Sequence, residues 1–259
     1  MLEITVDLVR PELVSLLDRT MPTAIRAQVV LAGGNAGRIF TDDPVHPQWI
    51  FVWEADDGTL YRGGNYDRKV LSEAVTLLRQ DGIVALGFRD GGPDIELFPP
   101  DPQAGADCVE YERPIGSSDL SPFLVAPPAG YSIHKMNRPL LERSPKNEEN
   151  LHRYGSLDNF LDKGIAVCIL YGDDVVCEAY ADMDIMGMRE IGIRTQEAHR
   201  RRGLATLACA YLIRLCEEAD SRIYWDCAKL NAGSVSLARK LGFQNERAYK
   251  LLAWFKPLS

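Results

Sequence analysis

The sequence predicts a mixed α/β protein in two parts, and three observations lead to that prediction. Strand-like and helix-like patterns alternate along the 259 residues. A stretch rich in Gly, Ser and Pro at 116–130 is typical of a linker, and it separates an N-terminal α/β domain, 1–115, from a C-terminal one, 131–259. The formal charge is also uneven, because residues 1–130 carry −10 and residues 131–259 carry +2. We therefore expect two domains with different roles.

Periodicity and turn residues predict the elements of the N-terminal part in order. A helix entered through Pro11 covers the apolar positions from Leu8 to Leu17. Two strands at 49–55 and 59–63 form a hairpin around the Asp-Asp-Gly turn at 56–58. A helix at 66–80 ends before Gly82, and a buried strand follows at 83–88.

The C-terminal part has the pattern of a mixed sheet with helices between its strands. The strands are expected at 131–136, 165–171, 175–182, 189–195, 222–228 and around 243–255. The helices are expected at 139–154, 157–163, 204–219 and 231–241. This order is not a run of βαβ units.

Composition excludes several classes of protein. Hydrophobic residues make up 46% and charged residues 25%, as in a folded globular chain, and the net charge of −8 argues against a nucleic-acid partner. No apolar run approaches the roughly 18 residues of a membrane span, and the first residues lack the pattern of a signal peptide. We expect a cytoplasmic protein with no membrane partner.

The cysteines and tryptophans fit structural roles better than chemical ones. The six cysteines form no CxxC pair and have no histidine at ligand spacing, so we expect small buried hydrophobic residues and no metal. Trp49, Trp53 and Trp225 lie in strand patterns, which favours the core over a stacking pocket. The pair Gly63–Gly64 before a helix lacks a lysine and a wider glycine pattern, and it is interpreted as a plain turn.

One segment carries the chemistry, His199-Arg-Arg-Arg-Gly-Leu-Ala-Thr206, where a strand passes through a basic turn into a helix. Unpaired N–H groups at the helix start, a glycine and three arginines suit a pyrophosphate. The alternative, from these eight residues alone, is an exposed basic loop.

The segments on either side of this turn favour an anion site over an exposed basic loop. With the strand Glu190–Thr195 before the turn, the strand Tyr224–Cys227 after the helix, and Asn231–Ser234 leading to Leu241-Gly242-Phe243, the segment resembles the GNAT (GCN5-related) N-acetyltransferases over 131–259. Arg200, Gly203 and Ala205 match the family's (Q/R)xxGx(G/A) loop, and Asn231 and Leu241–Phe243 match its second acyl-CoA segment.

The resemblance implies direct acetyl transfer from acetyl-CoA to a primary amine. By analogy, backbone groups of Ile193 and Thr195 pair with the pantetheine arm, and Asn231 touches the pantetheine or its thioester end. The two strands at 189–195 and 222–228 splay apart to admit the cofactor. The pyrophosphate site that it implies is formed by Arg200, Arg201, Arg202, Gly203, Leu204, Ala205 and Thr206.

The sequence indicates the catalytic residues less clearly than the cofactor-binding residues. Glu190 is the candidate base, with a surface or Arg-paired carboxylate as the alternative; Asp182, Asp184 and Asp226 are weaker alternatives that could hold a cation instead. Ala238 occupies the place where many family members have a tyrosine acid. Water or Tyr249 could protonate the leaving CoA thiolate. Ser234 could form a hydrogen bond near the sulfur, or it could instead accept hydrogen bonds from backbone N–H groups in the first turn of its helix.

The overall layout is similar to the acetyltransferases grouped with zwittermicin A resistance, which implies an aminopolyol or antibiotic-like small amine as substrate. The N-terminal part could be a degenerate GNAT-like half. Alternatives to a small-molecule enzyme are a non-catalytic acyl-CoA sensor and, third, a protein or peptide N-acetyltransferase. A homodimer is possible, although no pairing motif supports one.

Overall fold

The computed structural model describes residues 1–92 and 95–256. Twelve strands lie within these ranges: β1 (Leu2–Ile4), β2 (Gly37–Thr41), β3 (Trp49–Glu54), β4 (Leu60–Gly64), β5 (Val84–Phe88), β6 (Ala104–Arg113), β7 (Tyr131–Lys135), β8 (Ile165–Tyr171), β9 (Asp174–Ala181), β10 (Met188–Thr195), β11 (Arg222–Ala228) and β12 (Gln244–Trp254). The same ranges hold eight α-helices: α1 (Pro11–Leu16), α2 (Ala24–Leu31), α3 (Arg68–Leu78), α4 (Arg138–Glu142), α5 (Asn147–Tyr154), α6 (Leu157–Lys163), α7 (Leu204–Glu218) and α8 (Ala232–Lys240). The mixed α/β class is as predicted.

The chain divides into two compact units. The first comprises Met1–Val109 with Ala248–Ser259, and the second comprises Glu110–Arg247. Strands β6 and β12 thus contribute residues to both units, which a division along the chain alone does not anticipate. The sequence-based boundaries at 1–115, 116–130 and 131–259 stay a prediction.

The first unit contains an antiparallel sheet of order β1–β2–β3–β4, and β5 pairs antiparallel with residues 250–254 of β12. Its helix α3 forms because apolar residues recur at helical spacing, and these residues are buried: Leu71, Ala74, Val75 and Leu78. They share a core cluster with Trp49 and Trp53, so both tryptophans have the predicted structural role.

The start of α3, which follows the glycine pair Gly63–Gly64, is not a phosphate site. The side chain of Asp67 accepts a hydrogen bond from the N–H of Val70 at 2.9 Å and caps the helix. This carboxylate stands where an anion would have to bind. The interpretation of the glycine pair as a plain turn is wrong, because Gly63 and Gly64 are the last two residues of β4 and pair with Ile50 and Trp49 of β3.

The second unit is a mixed sheet in which β11, β10, β9, β8 and β7 are neighbours in that order, with β6 on the other side of β11. Helix α7 packs against β8, β9 and β10. Residues of α4, α5 and α6 pack on the opposite face, in one core cluster with Ala166, Cys168 and Tyr180. We call this second surface the α5 face of the sheet.

The predicted helix at 139–154 is wrong in one respect, because it is two helices, α4 and α5. Pro145 lies between them; it has no N–H to donate and it disfavours a helical conformation of Ser144. The interruption sets the start of α5, which carries residues that contact the sheet beside the candidate site.

The order of elements in the first unit repeats in the second. A strand, helices, three antiparallel strands, a helix and a further strand occur as β1 to β5 and again as β7 to β11. In the second unit β10 and β11 pair in parallel. In the first unit an isolated parallel bridge joins Thr59, the residue before β4, with Ala85 in β5. This repeat supports the interpretation of the N-terminal part as a degenerate copy.

The cysteines are free thiols, and five of the six are buried. Burial raises the pKa of Cys177 and of Cys216 to about 12, and that of Cys168 to about 11. Thiols with such pKa values are almost wholly protonated at neutral pH and are poor nucleophiles. Within the ranges given above, no helix is long and apolar enough to cross a membrane.

Candidate functional site

The turn between β10 and α7 is shaped by two residues with positive φ. After Thr195 the chain makes a short 3-10 turn at Glu197–His199; Arg201 then has φ 60° and Gly203 has φ 79°. Gly203 is the residue before the first turn of α7, and only glycine adopts that φ without steric penalty. The glycine of the motif is therefore required by the backbone.

The start of α7 offers a row of hydrogen-bond donors. The first helical bond runs from the N–H of Leu207 to the carbonyl of Gly203 at 3.0 Å, and no side chain caps the helix. Among the described residues, none accepts from the backbone N–H groups of Arg201 to Thr206. Such donors at the positive end of a 15-residue helix form an anion site.

A cleft of about 300 Å³ lies over these donors. Its lining comes from the turn, the start of α7 and one side of α8: Thr195, His199, Arg200, Arg201, Gly203, Leu204, Ala205, Thr206, Gly233, Ser236, Leu237 and Lys240. Seven of the predicted cofactor residues are therefore brought together. Arg202, Ile193, Asn231 and Ser234 are not part of this lining.

Sequence reasoning missed five of the lining residues. Four of them, Gly233, Ser236, Leu237 and Lys240, recur at i, i+3, i+4 and i+7 and so form one face of α8. That spacing is the signal that could have found them. The fifth, His199, accepts or donates a hydrogen bond at Nδ1 with the hydroxyl of Tyr131 at 2.9 Å.

Beside the cleft, β10 and β11 diverge as the resemblance predicts. They pair in parallel at Met188–Arg222, Arg189–Ile223 and Glu190–Tyr224, and no pairing between them continues beyond Glu190 in the described chain. Farther along, β10 remains paired with β9 alone, from Ile191 to Thr195. We call the opening between the two strands the fork.

The backbone of β10 presents hydrogen-bonding groups to the fork. The carbonyl of Glu190 accepts from Asp182 at 2.9 Å on the β9 side. Because backbone groups alternate sides along a strand, those of Ile191, Ile193 and Thr195 point to the fork. The carbonyl of Thr195 accepts from Nε of Arg200 at 3.2 Å, which holds that arginine at the mouth of the fork.

The other predicted cofactor residues have local partners. Asn231 caps α8, since its side chain accepts from the N–H of Ser234 at 3.1 Å. The hydroxyl of Ser234 accepts from Nε1 of Trp225 at 2.9 Å. Both residues organise the start of α8, and their contact with a cofactor stays a prediction.

Glu190 is the last paired residue before the fork, and its side chain is 5% exposed. The hydroxyl of its partner Tyr224 donates to Glu110. Burial, together with the charges of Glu110, Asp226 and Glu190, raises the pKa of Tyr224 well above its usual value. Three carboxylates thus surround one phenol on the α5 face.

The alternative carboxylates have different environments. Asp182 is 1% exposed, accepts from the hydroxyl of Tyr154 at 2.6 Å and lies 3.9 Å from the guanidinium of Arg153. Asp184 accepts from the N–H of Gly187 at 2.8 Å and from the hydroxyl of Ser221. The carboxylate of Asp184 therefore stabilises the loop before β10.

The two positions considered for the acid are both buried. Ala238 is fully buried in α8. Tyr249 is 3% exposed in the part of β12 that belongs to the first unit, whereas Glu190 and the cleft belong to the second. A catalytic role of Tyr249 stays a prediction.

Comparison with known proteins gives one family. The model of the GNAT acetyltransferase family matches residues 106–252. The uncharacterized N-acetyltransferase YdfB of Bacillus subtilis is 29% identical over 126 residues, which are 48% of each chain. YjdG of the same organism, also named an uncharacterized N-acetyltransferase, is 44% identical over 64 residues, 24% of this chain and 38% of YjdG. The chain spans at most about half the length of these curated relatives.

Two solved structures share the fold. A GCN5-related N-acetyltransferase-like protein from Streptococcus suis has a TM-score of 0.63 and 23% identity, covering 86% of this chain and 90% of its own. A tandem GNAT protein from the clavulanic acid biosynthesis pathway has a TM-score of 0.61 and 11% identity, covering 96% and 93%. The second likeness extends the shared fold to both units.

Proposed function

The chain belongs to the GNAT acetyltransferase family, and we propose that it transfers an acetyl group from acetyl-CoA to a primary amine of a small cationic molecule. One observation carries the proposal: a fork between two strands opens beside a helix start whose N–H groups have no acceptor in the described chain. The fork suits an extended amide-bearing arm, and the helix start suits a pyrophosphate.

The residues of the cleft fit the acetyl donor in shape and charge. The amides of Arg201–Thr206 would hold the pyrophosphate, and Arg200 and Lys240 add positive charge at the rim. The backbone groups of Ile193 and Thr195 would hold the pantetheine arm as an added strand. The bound donor supplies an activated acetyl thioester, and the chain supplies position and proton transfer.

The acceptor site is proposed on the α5 face at the fork. Glu190, Asp226 and Glu110 surround Tyr224 there, and Asp182 lies on the neighbouring strand end. Two arginines partly offset these four carboxylates, because Arg247 lies 2.7 Å from Glu110 and Arg153 lies 3.9 Å from Asp182. A cluster of carboxylates attracts a cation and excludes anions. This charge supports a small polyamine, aminopolyol or amino-sugar antibiotic as acceptor, in line with the zwittermicin A resistance resemblance.

In the proposed reaction Glu190 takes a proton from the substrate ammonium and leaves a neutral amine. The nitrogen then attacks the acetyl carbon, since the fork holds both substrates at one point. No covalent enzyme intermediate is needed. The raised pKa of the buried cysteines agrees with a direct transfer.

A non-catalytic acyl-CoA sensor is the second candidate, and Ala238, which has no titratable group at the usual position of the acid, favours it. A protein or peptide acetyltransferase ranks third, with no contact in the second unit that favours it. The sensor and the enzyme bind CoA alike but differ in turnover.

Calorimetric titration with acetyl-CoA, with desulfo-CoA and ATP as controls, tests the donor. We expect one acetyl-CoA per chain and much weaker binding of ATP, which lacks the pantetheine arm. Thiol release is then measured with spermidine, 2-deoxystreptamine, glucosamine and a lysine-containing peptide. Binding without turnover on any amine would favour the sensor, and absence of binding by folded protein would contradict the proposal.

Removing charge from the turn is expected to weaken CoA binding. The double variant Arg200→Ala/Arg201→Ala, which changes the two arginines that line the cleft, should raise the Kd for CoA about 10- to 100-fold, because arginine contacts with phosphate are charge-assisted hydrogen bonds. Arg214→Ala is the matched control, since Arg214 lies on the surface of α7 beside Tyr211. An unchanged Kd in the double variant would mean that the pyrophosphate binds elsewhere.

A further inference from the structure

The basic side chains that line the cleft come from two places. Arg200 and Arg201 lie on the turn before α7, whereas Lys240 is the last residue of α8. The lining residues of α8 run from Gly233 to Lys240, which is about 10 Å along the helix axis. The cleft therefore extends beyond the helix start that suits the pyrophosphate, and it has a second source of positive charge there.

The end of α8 lies far from the start of α7. The buried Arg113 donates from Nε to the carbonyl of Leu241, the residue after Lys240, at 2.9 Å. The same guanidinium pairs with Glu217, which is about 20 Å along the axis of α7 from Leu204. Because helical side chains point toward the N-terminus of their helix, Lys240 reaches back into the cleft from this far end. Its ammonium and the N–H groups of α7 thus meet different parts of a bound molecule.

The ammonium of Lys240 is held by an aromatic ring and not by a carboxylate. Its Nζ is 5.3 Å from the centre of the ring of Phe123. Among the residues that the structure describes, no carboxylate pairs with it, although the adjacent Arg239 pairs with Glu246 at 2.7 Å. A cation over a ring keeps its charge and its N–H donors. The ring therefore orients the ammonium and leaves it able to bind an anion.

Phe123 is placed by the same arginine that fixes the end of α8. Arg113 also donates to the carbonyl of Ser118 at 3.0 Å, and the chain then forms a short 3-10 turn at Ser121–Phe123 that packs against α7. The N–H of Phe123 donates to the carbonyl of the buried Leu120 at 2.8 Å. One buried guanidinium thus holds both the segment that carries the ring and the helix end that carries the lysine.

The acetyl donor has a second anionic group that suits this place. CoA carries a pyrophosphate on the 5′ side of its ribose and a monophosphate on the 3′ side. A phosphate monoester has a charge of about −1.5 to −2 at pH 7. In the proposed function the pyrophosphate takes the N–H groups at the start of α7, so the 3′-phosphate needs a cation elsewhere in the cleft. Lys240 is the basic residue of the lining that α8 supplies.

We propose that Lys240 binds the 3′-phosphate of the acetyl donor and so selects CoA over 3′-dephospho-CoA, with Phe123 as its positioning residue. The inference rests on the proposed function and deepens it, because it names the group by which this cleft recognises its donor.

A binding experiment tests the assignment without turnover. Calorimetry compares CoA with 3′-dephospho-CoA in the wild type and in Lys240→Met, which keeps an unbranched side chain without charge. We expect the wild type to bind CoA about 10-fold more tightly, since hydrogen bonds between charged groups are strong. In Lys240→Met the two Kd values should become equal, with that of 3′-dephospho-CoA unchanged. Lys240→Arg should keep the preference.

Three results would contradict the proposal in different ways. Equal binding of the two ligands by the wild type would show that the 3′-phosphate is not recognised. An equal loss of both ligands in Lys240→Met would place the ammonium at the pyrophosphate. Binding of neither ligand by folded wild type would contradict the proposed function itself. Lys69→Met is the matched control, because it removes an exposed lysine from α3 of the first unit.

The role of Phe123 is tested by changing its ring. Phe123→Leu keeps an apolar side chain but removes the π face, and it should lower the preference for CoA about threefold, as expected for an exposed cation–π contact. Phe123→Tyr should retain the preference. If Phe123→Leu changes both Kd values by the same factor, the ring only packs against its neighbours and does not position Lys240.

Kinetics provide an independent measurement with the best amine of the panel. Lys240→Met should raise the KM for acetyl-CoA about 10-fold at unchanged kcat, because the 3′-phosphate is remote from the reacting carbon and is bound equally before and during the reaction. The KM for acetyl-3′-dephospho-CoA should not change. A lower kcat at unchanged KM would contradict a role in donor binding.

Discussion

Glu190→Gln is expected to lower kcat/KM for acetyl transfer by a factor of about 100 or more at pH 7, with the Kd for CoA unchanged. General base catalysis by a positioned carboxylate contributes roughly 10²- to 10⁴-fold to a rate, and glutamine cannot accept the ammonium proton. The amide keeps the volume and shape of the side chain, so a residue that is 5% exposed is replaced without a cavity.

The control for this variant is Glu218→Gln, which changes a carboxylate at the exposed end of α7, where Glu218 lies 3.9 Å from Arg214. Asp226→Asn provides a second comparison, since Asp226 also contributes to the charge around Tyr224. If Asp226→Asn abolishes turnover and Glu190→Gln retains it within about threefold, the base is Asp226 and the assignment of Glu190 is wrong.

Glu217→Ala is expected to reduce the free energy of unfolding by about 3 kcal/mol, because it leaves a buried guanidinium without its counter-ion. Arg113 is 0% exposed and forms an ion pair with Glu217. It also donates to the carbonyl of Leu241 at 2.9 Å and to the carbonyl of Ser118 at 3.0 Å. The carboxylate of Glu217 further accepts from the N–H of Gly116 at 3.0 Å.

The neighbouring residue is the matched control for stability. Glu218→Ala removes a carboxylate from the same helix turn, but its pairing with Arg214 is exposed and contributes at most about 0.5 kcal/mol. Urea unfolding followed by circular dichroism measures both variants. Equal midpoints would show that Arg113 is adequately stabilised by its two carbonyl acceptors alone.

The elements that the sequence predicted well are those whose signal is local. The turn at Arg200–Gly203 could be found because its arginines, its glycine and the start of α7 are adjacent in the chain. The fork followed from the family resemblance, and the pairing of β10 with β11 has the predicted form. Helix α7 differs from its prediction by one residue at its end.

What the sequence could not predict depends on contacts between distant residues. Arg113 and Glu217 are 104 positions apart, and nothing in either local pattern indicates that they meet. Tyr180 and Gly192 looked like ordinary strand residues until the register of β9 and β10 placed one over the other. The strand β6 was missed because its first four residues are exposed and its apolar pattern is short.

The divergence of β10 and β11 also has a consequence for the behaviour of the chain in solution. Beyond Glu190 the side of β10 that faces the fork is a strand edge within a sheet, with backbone donors and acceptors aligned for pairing. Such edges recruit other chains into intermolecular sheets unless a protein limits them. Here the segment is only five residues long and carries the exposed, charged Arg194. Under the proposed function the arm of the acetyl donor would pair with this edge and would fill the place that a further polypeptide strand could otherwise take.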